Sequence, residues 1–214
     1  MSKEKRLVFG LGSGRCGTAS LAYLMSLQES TLATHELHPV LPWEADLGRL
    51  TFRWQQMDHQ SHLYDTVFDA GIYYFSYVDT LIRSWDTHEY AKQRYDLKFV
   101  CLKRNREEVI ESFLRKFKRQ KNNPLQDHSD PELTKDEWDL CFPKYDNSLS
   151  LSEAIGRFHD DYYEIAREKQ ESFSDHFRIF DTQSLNTKEG VNSILAFIGY
   201  DNPNIVTNIQ KRKH

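Results

Sequence analysis

Cysteine is scarce in this chain of 214 residues: three stand alone, at Cys16, Cys101 and Cys141. An odd number without Cys-x-x-Cys spacing excludes a disulfide framework and a cysteine zinc site, and it fits a reducing compartment. No apolar run approaches the roughly 20 residues that a membrane-spanning helix requires. The opening Met1-Ser-Lys-Glu-Lys-Arg6 leads straight into a short apolar segment, so the expected location is cytoplasmic, with no membrane attachment. Basic excess is also lacking. The net charge is −4, which gives no general attraction to nucleic acid. Neither an internal repeat nor a low-complexity tract is present. The 39% hydrophobic and 13% aromatic content excludes a disordered chain, and the length suits one domain over 1–214 with a core of its own.

Glycine is sparse too, at nine residues, yet Gly10, Gly12, Gly14 and Gly17 fall together in Arg6-Leu-Val-Phe-Gly-Leu-Gly-Ser-Gly-Arg-Cys-Gly-Thr-Ala-Ser-Leu21. The stretch reads as an apolar strand, a glycine-rich loop and the start of an amphipathic helix. Such a loop brings backbone N–H groups close to a ligand, and the helix directs its positive dipole end at the same point. An anion site is expected. Aligning Gly12 and Gly17 with the glycines of Gly-x-x-x-x-Gly-Lys-Ser/Thr puts Thr18 and Ala19 where a nucleotide triphosphatase carries its lysine and its magnesium hydroxyl. The cation lies inside the loop instead, at Arg15.

A second element is Leu97-Lys-Phe-Val-Cys-Leu-Lys-Arg-Asn-Arg-Glu-Glu-Val-Ile-Glu-Ser112. Leu97 to Leu102 suits a buried strand, and Val109, Ile110, Phe113, Leu114 and Phe117 recur with helical period. Arg104 lies at the carboxyl end of the strand, and Ser112 follows about two helical turns later. A guanidinium and a hydroxyl at that spacing can hold a phosphate.

The Arg15-Cys-Gly-Thr18 loop resembles the 5′-phosphosulfate loop of sulfotransferases that use 3′-phosphoadenosine 5′-phosphosulfate, and Arg104-x7-Ser112 resembles their 3′-phosphate site. The resemblance runs loosely from about Leu7 to Gly199. It implies that Ser13, Gly14, Arg15, Cys16 and Gly17, with Thr18, Ala19 and Ser20 of the helix start, hold the phosphosulfate, while Arg104 and Ser112 hold the 3′-phosphate. Cys16 stands where serine is more usual and Ala19 where threonine is common. The late turn Asp181-Thr-Gln-Ser-Leu185 matches the family's acidic-leucine turn approximately.

Strand and helix patterns alternate along the chain, which predicts an α/β fold: a central parallel sheet flanked by helices, with a phosphate-binding loop after strand one. Strands are expected at Leu7–Leu11, Thr31–Glu36, Thr66–Asp69, Lys98–Lys103 and Phe177–Leu185. Helices are expected at Thr18–Leu27, Tyr77–Arg94, Glu107–Arg119, Ser152–Lys169 and from Val191 to Gly199. Residues 122–150, with Pro124, Pro131 and Pro143, read as irregular and suit a lid.

Ligands of an open parallel sheet bind beyond the carboxyl ends of its strands. That rule selects Arg15, His35, Glu36, His38, Asp69 and Arg104. Sulfuryl transfer to a hydroxyl needs a base and a cation beside the leaving phosphate oxygen. Arg15 suits the second role. Glu36 is favoured for the first, since several branches of the family use a glutamate after strand two, with His38, His35 and Asp69 as alternatives. His35-x-x-His38 and His59-x-x-His62 lack a third clustered ligand, so no metal is expected. The expected acceptor is a hydroxylated carbohydrate or small metabolite rather than a protein tyrosine. Two competing functions stay open: a P-loop small-molecule kinase, disfavoured by Thr18 and Ala19, and a catalytically silent nucleotide-binding module. The basic residues Arg115, Lys116, Lys118, Arg119 and Lys121 read as the solvated end of a helix, and Lys211-Arg-Lys213 as a frayed terminus.

Overall fold

The computed structural model of the chain describes residues 5–117, 124–126 and 137–207. Five strands, β1 (Lys5–Leu11), β2 (Thr31–His35), β3 (Thr66–Ala70), β4 (Tyr95–Lys103) and β5 (Phe177–Asp181), form one parallel sheet in the order β2-β3-β1-β4-β5. The alternation inside β1 and β4 explains how both faces are covered. Leu7, Phe9, Leu11, Leu97, Phe99 and Cys101 enter one apolar cluster, whereas Val8, Val100 and Leu102 enter the other. A strand buried on both faces reads as a continuous apolar run, which is why these segments are legible without alternating polarity.

Helices α1 (Thr18–Ser26) and α7 (Lys188–Ile198) cover the second face through Leu21, Leu24, Met25, Ile194, Leu195 and Ile198. The first face is covered by α2 (Leu47–Ser61), α3 (Val78–Thr87), α5 (Arg106–Phe117) and α6 (Leu151–Ser172), with the short α4 (Glu89–Arg94) leading into β4. Two of these helices begin at caps visible in the sequence. Asn105 Oδ1 accepts from the amides of Glu107 and Glu108 at 3.0 and 3.2 Å. Ser150 and Glu153 form a reciprocal capping box at the start of α6.

Several boundaries differ from expectation for identifiable reasons. The helix expected over Tyr77–Arg94 is a 3-10 helix at Ile72–Tyr77 followed by α3 and α4, because His88 adopts an extended backbone with φ −101° and ψ 100°. The strand expected to reach Leu185 stops at Asp181, whose carboxylate accepts from Gln183 N at 2.7 Å and opens a 3-10 turn over Thr182–Asn186. Helix α2 is not among the expected elements: its buried face is narrow, with Leu50 and Met57 sharing it with a charged residue, Arg53. Of the expected lid, 124–126 and 137–150 are described. They are tied down by Tyr145 N donating to Leu125 O at 2.8 Å and Trp43 N donating to Leu140 O at 2.6 Å. The rest of that segment, Lys118, Arg119 and Lys121, and the terminal Lys211-Arg-Lys213 lie outside the described residues.

Chain order places the switch point of the sheet at β1. The path through α1 runs to β2 on one side, and the path from β3 crosses back to β4 on the other. The loop after β1 therefore lies at the crevice where α/β sheets bind ligands. Among the described residues no helix is long and apolar enough to cross a membrane.

Candidate functional site

Beyond the carboxyl end of β1 the chain turns through three left-handed residues, Gly14 (φ 85°), Arg15 (φ 54°) and Gly17 (φ 98°). At Gly14 a side chain is excluded twice, since a Cβ would meet the Phe113 ring at 2.6 Å in a conformation that L residues rarely adopt. Gly12 is required by close approach: its Cβ would lie 2.0 Å from Cys16 Sγ. Gly17 then caps α1 without a side chain, so the first-turn amides of Thr18, Ala19 and Ser20 find no capping side chain, and these three residues line the cleft. Consecutive amides of this kind, at a helix start, form an anion-binding nest.

This loop forms the floor of a cleft of about 370 Å³. Arg15, Thr18, Ala19 and Ser20 line it together with His35 and Glu36 from the end of β2, Ile72 after β3, Arg104 after β4 and Ser112 on α5. The two motifs, about ninety positions apart in the chain, are in direct contact. Arg15 Nε donates to Ser112 Oγ at 3.0 Å, and Arg104 Nη1 donates to the Arg15 carbonyl at 3.1 Å. Arg104 also pairs with Glu108 at 2.7 Å. A third cation, Lys116, lines the cleft one turn beyond Ser112.

Glu36 is one of three non-glycine residues with positive φ among those described, at 59°. Arg15 is another. Such conformations cost about 1–3 kcal/mol each and persist where surrounding structure imposes them, so two of them facing one cleft point to a functional constraint. Glu36 N still donates to Ala70 O at 2.8 Å, as a last rung beside β3, and the backbone leaves the sheet immediately after. Its carboxylate lies 3.7 Å from His35 Nδ1, and His35 Nε2 lies 3.1 Å from Thr18 Oγ1. A hydroxyl, an imidazole and a carboxylate thus run in sequence from the helix start to the cleft wall. The hydroxyl and the imidazole are within hydrogen-bond distance, whereas the imidazole and the carboxylate make only an ion-pair contact.

Other residues named from the sequence sit elsewhere. Ser13 is wholly buried, with its amide and hydroxyl each 3.4 Å from the Tyr163 hydroxyl. Cys16 is also wholly buried, its Sγ packed beneath Gly12. His38 points outward to Glu137 at 3.4 Å and is not part of the cleft wall. Asp69, at 1% exposure, is engaged by Arg53, Thr34 and Tyr74 and does not reach the cleft. Among the described residues no three His, Cys, Asp or Glu side chains are placed to hold a metal ion.

The loop is braced from behind by residues that local sequence did not identify. Thr182 Oγ1 lies 2.8 Å from Cys16 O and 3.0 Å from Lys103 O, joining the loop after β1 to the end of β4. Tyr163 on α6 donates to Leu102 O at 2.6 Å. His159 Nε2 lies 3.1 Å from the Arg104 carbonyl, which only accepts, so Nε2 carries the proton. Trp138 and Phe142 close the far side of the cleft. Distant position in the chain hides the contributions of Thr182, Tyr163 and His159, whereas Trp138 and Phe142 fall within the irregular segment 122–150.

Burial pushes the Cys16 thiol up to about 11 and the Cys101 thiol well above its ordinary value. At pH 8 about a thousandth of Cys16 would be thiolate, the reactive form. Iodoacetamide at that pH is expected to leave Cys16 and Cys101 of the native protein unmodified over a time that labels the urea-unfolded chain fully, as read by mass spectrometry. Rapid native labelling of Cys16 would mean that its thiol faces the cleft.

The fold is similar to that of a sulfotransferase domain. The chain superposes along its whole length on 80% of the sulfotransferase domain from the Synechococcus PCC 7002 olefin synthase, with a TM-score of 0.56 and 14% sequence identity. No protein-family model matches the chain, and no curated protein matches it.

Proposed function

We propose that this protein is a sulfotransferase that moves a sulfuryl group from 3′-phosphoadenosine 5′-phosphosulfate to a hydroxyl of a carbohydrate or small metabolite. The observation that carries the reading is the meeting, in one cleft, of an uncapped helix start, two guanidinium groups braced through Ser112 and the Arg15 carbonyl, and a carboxylate on the opposite wall. The residues fit the donor. Amides of Thr18, Ala19 and Ser20 with Arg15 suit the phosphosulfate, and Arg104 with Ser112 suits the 3′-phosphate. The donor, when bound, supplies a sulfuryl group joined to a phosphate leaving group.

Glu36 is assigned the base that takes the acceptor hydroxyl proton, and His35 holds the Thr18 hydroxyl toward the helix start. Arg15 and the loop amides stabilise negative charge at the leaving oxygen. Fixed donors of this kind are worth about 2.7–4 kcal/mol each when removed from comparable sites. Of the residues first named for the phosphosulfate, Ser13 and Cys16 contribute backbone only, since their side chains are buried.

Calorimetric titration without magnesium tests the reading. Adenosine 3′,5′-bisphosphate is expected to bind at least tenfold more tightly than ADP, which lacks the 3′-phosphate. Equal affinities, or binding only of ATP with magnesium, would sink the sulfotransferase assignment.

A further inference from the structure

Arg53 is 1% exposed, yet it is a charged residue in the middle of α2. Its guanidinium is spent entirely on the protein. Nη1 pairs with Asp69 at 3.0 Å and donates to the Tyr74 hydroxyl, and Nε donates to Gln56 Oε1 at 3.2 Å. Nη2 donates to the main-chain carbonyls of Leu37 and Pro39, at 2.5 and 2.8 Å. Asp69 is engaged in turn by the hydroxyls of Thr34 at 2.8 Å and Tyr74 at 2.6 Å. The Tyr73 hydroxyl lies 3.1 Å from the Leu37 carbonyl and 3.3 Å from Asp69. Burial raises both tyrosine hydroxyls above their ordinary range, so they stay protonated and able to donate.

Stability alone does not account for this arrangement, because a buried ion pair is commonly replaceable by apolar residues at no loss. What an apolar core cannot do is grip a carbonyl. The two carbonyls gripped here belong to the turn immediately after Glu36, where the chain has just left the sheet through a left-handed residue. On the near side Glu36 is fixed by the hydrogen bond its amide donates to Ala70 O. The path on the far side is decided by where Leu37 and Pro39 are held.

We infer that Arg53, backed by Asp69 and Tyr73, is a positioning residue: it clamps the turn after Glu36 and so sets where that carboxylate enters the cleft. The inference rests on Glu36 being the base. A clamp of this kind acts on turnover rather than on donor binding, because no part of it touches the loop after β1. A displacement of about 1 Å at a reacting group can cost on the order of 10²-fold in rate.

Two variants test it, each in the full-length protein. Arg53→Lys keeps a charge for Asp69 but cannot span both carbonyls, and Tyr73→Phe removes one hydroxyl without leaving a buried charge. Turnover is measured as release of adenosine 3′,5′-bisphosphate from 3′-phosphoadenosine 5′-phosphosulfate, with water as acceptor. The expected result is about a tenfold loss of kcat in Arg53→Lys and a few-fold loss in Tyr73→Phe, with the bisphosphate Kd within twofold of wild type. Peptides spanning 36–41 should exchange amide hydrogens faster in both variants, while those of the loop 12–20 are unchanged. A kcat within twofold of wild type in Arg53→Lys, or a loss of turnover that only follows a loss of bisphosphate binding, would overturn the clamp. Should Arg53→Lys fail to fold, Tyr73→Phe decides by the same criteria. If the wild-type protein neither binds the bisphosphate nor releases it, the proposed function falls, and exchange at 36–41 alone decides the clamp: unaltered exchange overturns it.

Discussion

Arg104→Ala is expected to weaken adenosine 3′,5′-bisphosphate about 100-fold while changing ADP affinity less than threefold. Charge-assisted hydrogen bonds to a phosphate contribute about 1.5–3 kcal/mol each, and a guanidinium can offer two in parallel. Arg104 is held for that task at both ends. Its carbonyl is fixed by His159 at 3.1 Å, and its side chain is steered by Glu108 at 2.7 Å and the Arg15 carbonyl at 3.1 Å. The Glu108 pair is substantially exposed, at 32% and 48%, so breaking it costs the fold little. The effect belongs to binding. Paired calorimetric titrations of the two ligands measure it, with thermal unfolding confirming that the variant is intact. Equal weakening of both ligands would show that Arg104 serves the loop, through the Arg15 carbonyl, and not the 3′-phosphate.

The parts of this molecule legible in the sequence are those whose physics is local. Buried parallel strands read as apolar runs, and β1 and β4 are found where Leu7–Leu11 and Lys98–Lys103 predict them, β1 beginning two residues earlier and β4 three. The loop after β1 is legible because glycines at 12, 14 and 17 answer backbone requirements, here a contact with Cys16, an approach to Phe113 and a helix cap. Strand order is less so. Nothing local places β1 between β3 and β4, yet that placement is what brings Arg104 onto the Arg15 carbonyl.

What escapes sequence reading is polar and long-range. Helix α2 buries Arg53, so its stripe reads as a broken apolar pattern, although the Asp46 cap that accepts from Arg49 N at 3.0 Å is a recognisable start signal. Asp69 at the end of β3 has the position of a catalytic acid and the environment of a core residue, because its partners Arg53 and Tyr74 lie 16 and 5 positions away. The side chains of Ser13 and Cys16 are buried for a different reason. A strand-to-helix turn sends some of its side chains beneath the loop, and a motif written in letters does not record which ones. Thr182 and Tyr163 brace that loop from elements more than 140 positions away, where a single threonine or tyrosine carries no signal.

Glu36→Gln is expected to lower turnover about 10³-fold while leaving the affinity for adenosine 3′,5′-bisphosphate within twofold of wild type. Proton removal by a positioned base contributes typically about 10²–10⁴-fold, and the amide keeps the shape of the carboxylate without its basicity. The substitution is mild for the fold: Glu36 is partly exposed, its backbone conformation is available to glutamine at similar cost, and the hydrogen bond its backbone amide donates to Ala70 O is retained. Initial rates and calorimetry on the same preparation separate the two quantities. The neighbouring imidazole makes the experiment decisive. His35 bridges Thr18 at 3.1 Å and Glu36 at 3.7 Å, so it would serve as the base if the carboxylate only oriented it. In that case Glu36→Gln would retain a tenth or more of wild-type turnover, and His35→Ala would carry the larger loss. With Glu36 as base the order reverses, because His35 then acts on the Thr18 hydroxyl at the helix start and its removal is felt first in donor affinity.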